Sequence, residues 1–268
     1  MSRTSKKTKP KPAAHPTTDA ERCRLVLTAG PATLARLTVA GPERAAQALA
    51  AILAAGDVAS LILSPSDIGG SMAEAGFQDA VAPLVPAAQA LGVAVIVETE
   101  SRVAGRVGAD GIQLGQDPDA LRDAMERHGR AMMVGAGNVR SRHTALVLGE
   151  AGPDYVMFGR PGGDIRPEPH PKNLDLAAWW ATMVEIPCIV CAGAEAGGVI
   201  AVANTGAEFV AVERAVFPIG TGEGEEADAT ISPDPSSIDA FEKAAAEAVA
   251  RINALLDTDA PRFEDPTA

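Results

Sequence analysis

The sequence predicts an α/β chain folded as a single (β/α)8 TIM barrel with a disordered N-terminal tail. Three observations predict it. Short apolar runs alternate with amphipathic helical stretches eight times between Arg24 and Leu256, and strict alternation implies right-handed parallel crossovers. The runs are unbroken, as in Val93-Ala94-Val95-Ile96-Val97, which suits strands buried on both faces of a parallel sheet. Eight such units in about 235 residues fit a closed barrel better than an open sheet. An open doubly wound sheet is the alternative, because periodicity does not report closure.

Residues 1 to about 22 are Lys, Pro, Thr and Ala without periodicity and read as a disordered basic tail. Arg24–Thr28 is the first strand, and Pro42–Ala55 follows as a helix with Ala45, Leu49, Ile52 and Leu53 on one face. Asp57–Leu63 is strand two, Gln78–Leu91 the next helix and Val93–Val97 strand three. Glu100–Val107 is a short helix before strand four, Asp110–Leu114. Around this strand the punctuation is dense. Gly108 suits the left-handed C-cap, Gly115 frees the backbone beyond the strand, Asp117 is a good N-cap and Pro118 a good first helical residue. The corner Gly115-Gln116 thus falls at the carboxyl end of a strand, where barrels build their sites.

The helix from Pro118 to Arg127 presents Leu121, Ala124 and Met125. Strand five is Ala131–Gly135, Ser141 caps a helix to Glu150, and strand six is Asp154–Phe158. A helix over Asn173–Val184, strand seven at Cys188–Cys191, a helix over Ala196–Asn204 and strand eight at Glu208–Val212 complete the series. A last helix, Ile238–Leu256 with Ser236 as N-cap, carries a stripe of Ile238, Phe241, Ala245, Val249, Ile252 and Leu256. The stripe predicts packing on the barrel; an interface in a homo-oligomer is the alternative. Residues 23–258 form the barrel domain, with an acidic Gly-, Glu- and Pro-rich insertion at 221–235 and a flexible C-terminus at 259–268.

The net charge is −12, and removing the five cations of the first eleven residues leaves −17 on the rest. Such a body argues against nucleic acid as a partner. Without a signal peptide or an apolar run of membrane length, the chain reads as cytoplasmic, with no membrane partner. Three cysteines are too few for a disulfide framework. Cys188 and Cys191 form a C-x-x-C, but residues three apart on a strand face opposite sides, so they read as buried small apolar groups.

The segments GADGIQLGQDP (108–118), MVGAGNVRS (133–141), DYVMFG (154–159), IPCIVCAGA (186–194) and GAEFVAVERAVF (206–217) occur in order at barrel spacing. Together they resemble the thiamine phosphate synthase and thiazole tautomerase superfamily over residues 24 to 218. The resemblance implies a (β/α)8 barrel whose synthase branch joins a pyrimidine methyl diphosphate to a thiazole phosphate, using Mg2+ and releasing diphosphate. The scaffold matches better than the chemistry. Where the synthase ends strand two with Gln-x-Arg-x-Lys, gripping the diphosphate, the aligned stretch is Leu61-Ile62-Leu63-Ser64-Pro65. Where it carries Asn-Asp after strand three, Glu98 and Thr99 stand. Its second magnesium Asp aligns with Pro118, with Asp117 one place earlier. Its Gly-x-Ser after strand five is Gly135-Ala136-Gly137, and its Val-Ser near strand eight is Glu213-Arg214. Its mobile Thr-x-Thr-Lys loop is replaced by residues 160–172, which hold Arg160, Arg166 and Lys172. The tautomerase histidine aligns with Val139, and His143 lies one helical turn on.

These positions give the candidate sites. Glu98 and Asp117, at strand ends, are the candidate metal ligands, because Mg2+ takes hard oxygen donors. For a small phosphorylated ligand the candidates are Gly193 and Arg214, on the loops where barrels bind phosphate with backbone amides, together with Gln116, Gly137, Arg160 and Arg166. Two functions follow from the resemblance. One is a thiamine phosphate synthase-type enzyme or a diverged relative acting on a phosphorylated heterocycle; the other is a catalytically inactive or regulatory relative that binds a small phosphate ligand.

Overall fold

The computed structural model describes residues 22–67, 69–98, 101–163, 165–217, 219 and 235–263. Its strands are β1 (Arg24–Ala29), β2 (Val58–Leu63), β3 (Ala94–Val97), β4 (Gly111–Leu114), β5 (Met133–Val139), β6 (Tyr155–Phe158), β7 (Cys188–Cys191) and β8 (Phe209–Val212). Each pairs in parallel with the next in chain order. β8 returns to β1 through Leu25↔Val210 and Leu27↔Val212, which closes the barrel and removes the open-sheet alternative. The acidic insertion and most of the basic tail lie outside the described residues.

The helices are α1 (Pro31–Thr38), α2 (Pro42–Leu53), α3 (Glu74–Val81), α4 (Leu84–Gln89), α5 (Ser101–Val107), α6 (Pro118–His128), α7 (Arg142–Gly149), α8 (Pro171–Met183), α9 (Gly198–Ala203) and α10 (Pro235–Asp259). Three differ from the sequence reading. α1 was not expected; it starts on Pro31, a residue suited to a first helical turn. The single helix expected at Gln78–Leu91 is two, α3 and α4, because Pro83 supplies no amide hydrogen to continue α3 and becomes the N-cap of α4. α10 begins at Pro235, so Ser236 lies inside the helix instead of capping it. β5 also outruns its expected end at Gly135. It continues through Gly137 to Val139, with a register irregularity between Ala136 and Val139.

Strand parity sorts the core into two layers. Val26, Ile62, Ile96, Met157, Ile189 and Ala211 fill the barrel interior with Tyr155. Leu25, Leu27, Leu61, Leu63, Val95 and Val97 face the helices. Gly135 makes space for the Tyr155 ring: a Cβ there would lie 2.0 Å from a ring carbon. The two cysteines of β7 separate as expected, Cys188 in the outer layer and Cys191 in the inner one. Burial pushes the Cys188 thiol up, and raises that of Cys23 to about 12, so neither is a thiolate at neutral pH.

The α10 stripe is buried within the chain. Ala245, Val249, Ile252 and Leu256 are fully covered, and Phe241 stacks on Phe217 at 5.8 Å. Each such aliphatic or aromatic side chain contributes about 1.5–3 kcal/mol by leaving water, and the stripe therefore has an intramolecular role, not that of a subunit interface. α10 also holds the start of the barrel, since Arg22 is buried, pairs with Asp257 at 2.7 Å and forms an isolated bridge with Arg262. Among the described residues no helix is long and apolar enough to cross a membrane.

The face of the barrel at the strand N-termini is built by a repeated device. The acid just before each even-numbered strand binds the start of the preceding strand. Asp57 pairs with the Arg24 guanidinium at 2.7 and 3.0 Å. Asp110 accepts from Val95 N at 2.8 Å, Asp154 from Val134 N at 2.8 Å and Glu208 from Cys188 N at 2.9 Å. The amides that start a strand lack a ladder partner on one side, and a carboxylate satisfies them.

Candidate functional site

At the opposite face, the end of β3 delivers Glu98 into the barrel mouth. Its backbone is tied by Glu98 N donating to Leu63 O at 2.8 Å. Ser64 Oγ donates to Glu98 Oε2 at 2.6 Å and Gln113 Nε2 donates to Oε1 at 3.3 Å. The Tyr155 hydroxyl in turn donates to Gln113 Oε1 at 3.0 Å. Burial pushes the Glu98 carboxyl above its ordinary value of 4.5, against the lowering effect of the Ser64 and Gln113 bonds and of the Arg160 charge. Burial likewise raises Tyr155. Gly137 is part of this arrangement, since a Cβ there would sit 2.8 Å from Gln113 Nε2. A second carboxylate, Glu213, closes the β8 side. It is buried, and accepts from Gly30 N and Thr33 Oγ1 at 2.7 Å each and from Thr28 Oγ1 at 3.4 Å.

The segment between β6 and α8 lies across the mouth. Pro161 and Gly162 are buried. Gly162 has φ +68°, and a Cβ on it would come 2.6 Å from Asp67 Cβ, so glycine is needed for both conformation and contact. Further along, Arg166 O accepts from Ala194 N at 2.6 Å and Pro167 O from Glu195 N at 3.1 Å. Gly193 lies beneath: a Cβ would meet Pro167 O at 2.1 Å. The close backbone approach that Gly193 permits is thus made here by the chain's own loop.

The outer side of this segment forms one wall of a cavity of about 390 Å³ between the ends of β5, β6 and β7. Arg140, Arg160, Arg166 and Lys172 line it, with His170 and one acid, Glu168. Gly159, Ile165, Cys191 and Ala192 give it apolar surface. The Arg140 side is set by an unusual backbone. Asn138 follows Gly137 with φ +58°, the left-handed region, where asparagine is better tolerated than most residues. Its Oδ1 accepts from Arg140 Nε at 3.0 Å. On the other side His170 caps α8, its Nδ1 accepting from Lys172 N at 3.2 Å. That bond makes Nε2 the nitrogen that carries a proton in the neutral ring. Such a concentration of cations in a chain of net charge −12 is suited to an anionic ligand.

The structure therefore brings together Arg160, Arg166 and Lys172 of the sequence-derived candidates. Gly193 lies next to this cavity under the loop. Gln116 and Arg214 are half-buried and not among its walls. Asp117 caps α6, its Oδ1 accepting from Asp119 N at 3.0 Å and Ala120 N at 3.2 Å. Sequence reasoning missed Arg140, His170, Ser64 and the Tyr155–Gln113 pair. Arg140 had a signal, since Gly137-Asn138 just before it is a pair of turn-forming residues, of which Asn138 adopts the left-handed region. Tyr155 and Gln113 had none, because nothing local says which strand faces them across the barrel.

Comparison with known proteins agrees with this architecture. The family model for thiamine monophosphate synthase matches residues 36–216. The thiamine-phosphate synthase of Rhodospirillum centenum is 35% identical over 192 residues, covering 71% of this chain and 87% of the relative. The chain belongs to the thiamine monophosphate synthase family. The thiamine-phosphate synthase of Erythrobacter litoralis is 36% identical over 142 residues, 50% of this chain and 65% of its own length. Among solved structures, the thiamine phosphate pyrophosphorylase of Pyrococcus furiosus superposes with a TM-score of 0.57 at 19% identity, covering 87% of this chain and 98% of that one, a likeness of fold.

At strand two, Leu61 and Leu63 face the helices, while Ile62 faces the interior and Ser64 reaches Glu98. A side chain that grips a ligand in the mouth must lie on the interior parity, and at the end of β2 the interior positions Ile62 and Ser64 carry no cation. The metal that the resemblance implies does not fit the residues present. Glu98 is half-buried, bonded by two donors and has its carboxyl pushed up by desolvation, and Asp117 spends its Oδ1 on helix amides. Among the described residues no group of three or more His, Cys, Asp or Glu side chains is placed to hold a metal ion.

Proposed function

We propose that this chain binds and converts a phosphorylated heterocycle of thiamine metabolism, with the ligand's phosphate held by cations of the segment between β6 and α8. The observation that carries this reading is the convergence of Arg140, Arg160, Arg166 and Lys172 on one cavity at the carboxyl ends of β5 to β7, the face where barrel enzymes place their chemistry. Exposed Ile165 with Gly159 and Ala192 offers apolar contact for a ring. In a transfer that expels an anionic group, positive charge near the departing oxygen lowers the barrier. In this reading Arg160 and Arg166 supply that charge.

A specific observation favours a second reading, a relative that binds the phosphate without converting it. The interior positions at the end of β2 are Ile62 and Ser64, Pro118 follows Asp117, and Pro161 and Gly162 fill the centre of the mouth. Expression in a bacterium lacking its own thiamine phosphate synthase separates the two. Growth without thiamine is the outcome expected of the converting enzyme. Failure to grow despite soluble protein, together with calorimetric binding of thiamine phosphate or thiazole phosphate, supports the second reading, and absence of both growth and binding removes the proposal.

A further inference from the structure

We infer that the cavity between β5, β6 and β7 is a diphosphate site that works with side-chain cations alone and needs no divalent metal. This rests on the reading of the cavity as an anion site and deepens it. The first ground is charge. Among the described residues the lining holds four permanent cations, Arg140, Arg160, Arg166 and Lys172, and one carboxylate, that of Glu168, a net of about three positive charges. An organic diphosphate carries about three negative charges near neutral pH, a phosphate monoester about 1.5 to 2. A monoester leaves positive charge uncompensated, and a diphosphate matches it.

The second ground is geometry. The cations come from three places, Arg140 beyond β5, Arg160 and Arg166 between β6 and α8, and Lys172 in the first turn of α8, so they flank the ligand and do not crowd one oxygen. The strained Asn138 engages Arg140 through Nε, the nitrogen nearest the chain, and the terminal nitrogens are the ones that give paired contacts to phosphate oxygens. None of the ion pairs among the described residues uses any of the four cations. The His170 ring adds an N–H donor beside Lys172. The third ground is the misfit of Glu98 and Asp117 to magnesium, which puts the neutralising charge on this side of the mouth.

Titration calorimetry of the full chain with inorganic pyrophosphate and orthophosphate, each with EDTA and then with magnesium, tests the inference. Pyrophosphate binds at least tenfold more tightly than orthophosphate in EDTA, and magnesium does not tighten it, because it neutralises charge the arginines recognise. Arg160→Gln and Arg166→Gln each weaken pyrophosphate tenfold or more. These side chains are exposed, so the variants retain the fold, as a thermal melt verifies, and Arg127→Gln on the far surface of α6 leaves binding unchanged. Pyrophosphate binding that requires magnesium overturns the inference, as does binding indifferent to both arginines. Equal affinity for the two anions also overturns it while leaving the phosphorylated-ligand reading intact. Binding of neither anion removes both.

Discussion

The two ends of the barrel use carboxylates in opposite ways. At the N-terminal rim, Asp57, Asp110, Asp154 and Glu208 each hold the start of a neighbouring strand, and the Arg24 partner holds the Asp57 carboxyl below its ordinary range. At the mouth, half-buried Glu98 is bonded by a hydroxyl and by an amide that a phenol in turn holds, and desolvation pushes its carboxyl up. Three of these acids answer one problem, the unpaired amides of parallel strands, and Asp57 answers to a guanidinium instead. The mouth has no repeat, because each loop there answers to a ligand and not to the sheet. Charge on an acid strengthens the first end and strains the second.

The sharpest way to break the mouth is from the interior. Gly135→Ala places a methyl group 2.0 Å from the Tyr155 ring. It should displace the Tyr155–Gln113–Glu98 chain and cost about 3 kcal/mol or more, at the upper end of overpacking effects. Chemical denaturation measures this, and a loss under 1 kcal/mol would show the interior to be looser than described. At the rim, Asp154→Ala leaves Val134 N without its acceptor and should cost about 1–3 kcal/mol, with ligand binding unchanged in the remaining folded protein. A rim variant that lost binding at full stability would unite the two ends that the structure separates.

The smallest effects are the most diagnostic, because their pH dependences have opposite signs. Glu98 has a raised folded pKa, so its contribution is fully present below its unfolded value near 4.5 and is lost as pH rises through the folded value. Glu98→Gln, which keeps the neutral form, should therefore gain melting temperature relative to the parent as pH rises from 4.5 upward. Asp57 has a lowered folded pKa, so its contribution is present above the unfolded value near 3.8 and is lost as pH falls through the folded one. Asp57→Asn should lose melting temperature at neutral pH, and the loss should vanish in acid. Paired thermal melts from pH 4 to 9 read both, and slopes of the same sign would dissolve the contrast.

The fold was legible because its signals are local. The VAVIV run, Gly108 in its left-handed cap, and Asp117 bonded to the amides of Asp119 and Ala120 all act within a few residues. The misreadings were local too. Pro83 divides a helix whose apolar period continues across it, and the β5 strand runs on past Gly135 through Gly137, beyond its expected end. The site was legible only in its composition. Arg160, Arg166 and Lys172 stood out as cations on a long loop, yet nothing in their spacing said that Arg140, about twenty residues earlier, would share a cavity with them.

What the sequence determined alone is the barrel, through alternating periods that fix which residues are strand and which helix. Tertiary structure decided the rest. Closure sets which parity faces inward, and so makes Ile62 and Ser64 the strand-two positions at the mouth. It brings Gln113 to Glu98 across 15 residues of chain and Tyr155 to Gln113 across 42, and it lays Pro167 on Gly193. The physical reason is range: hydrogen bonding and periodicity act between near neighbours, whereas burial and the meeting of charges depend on distances that exist only once the barrel has closed.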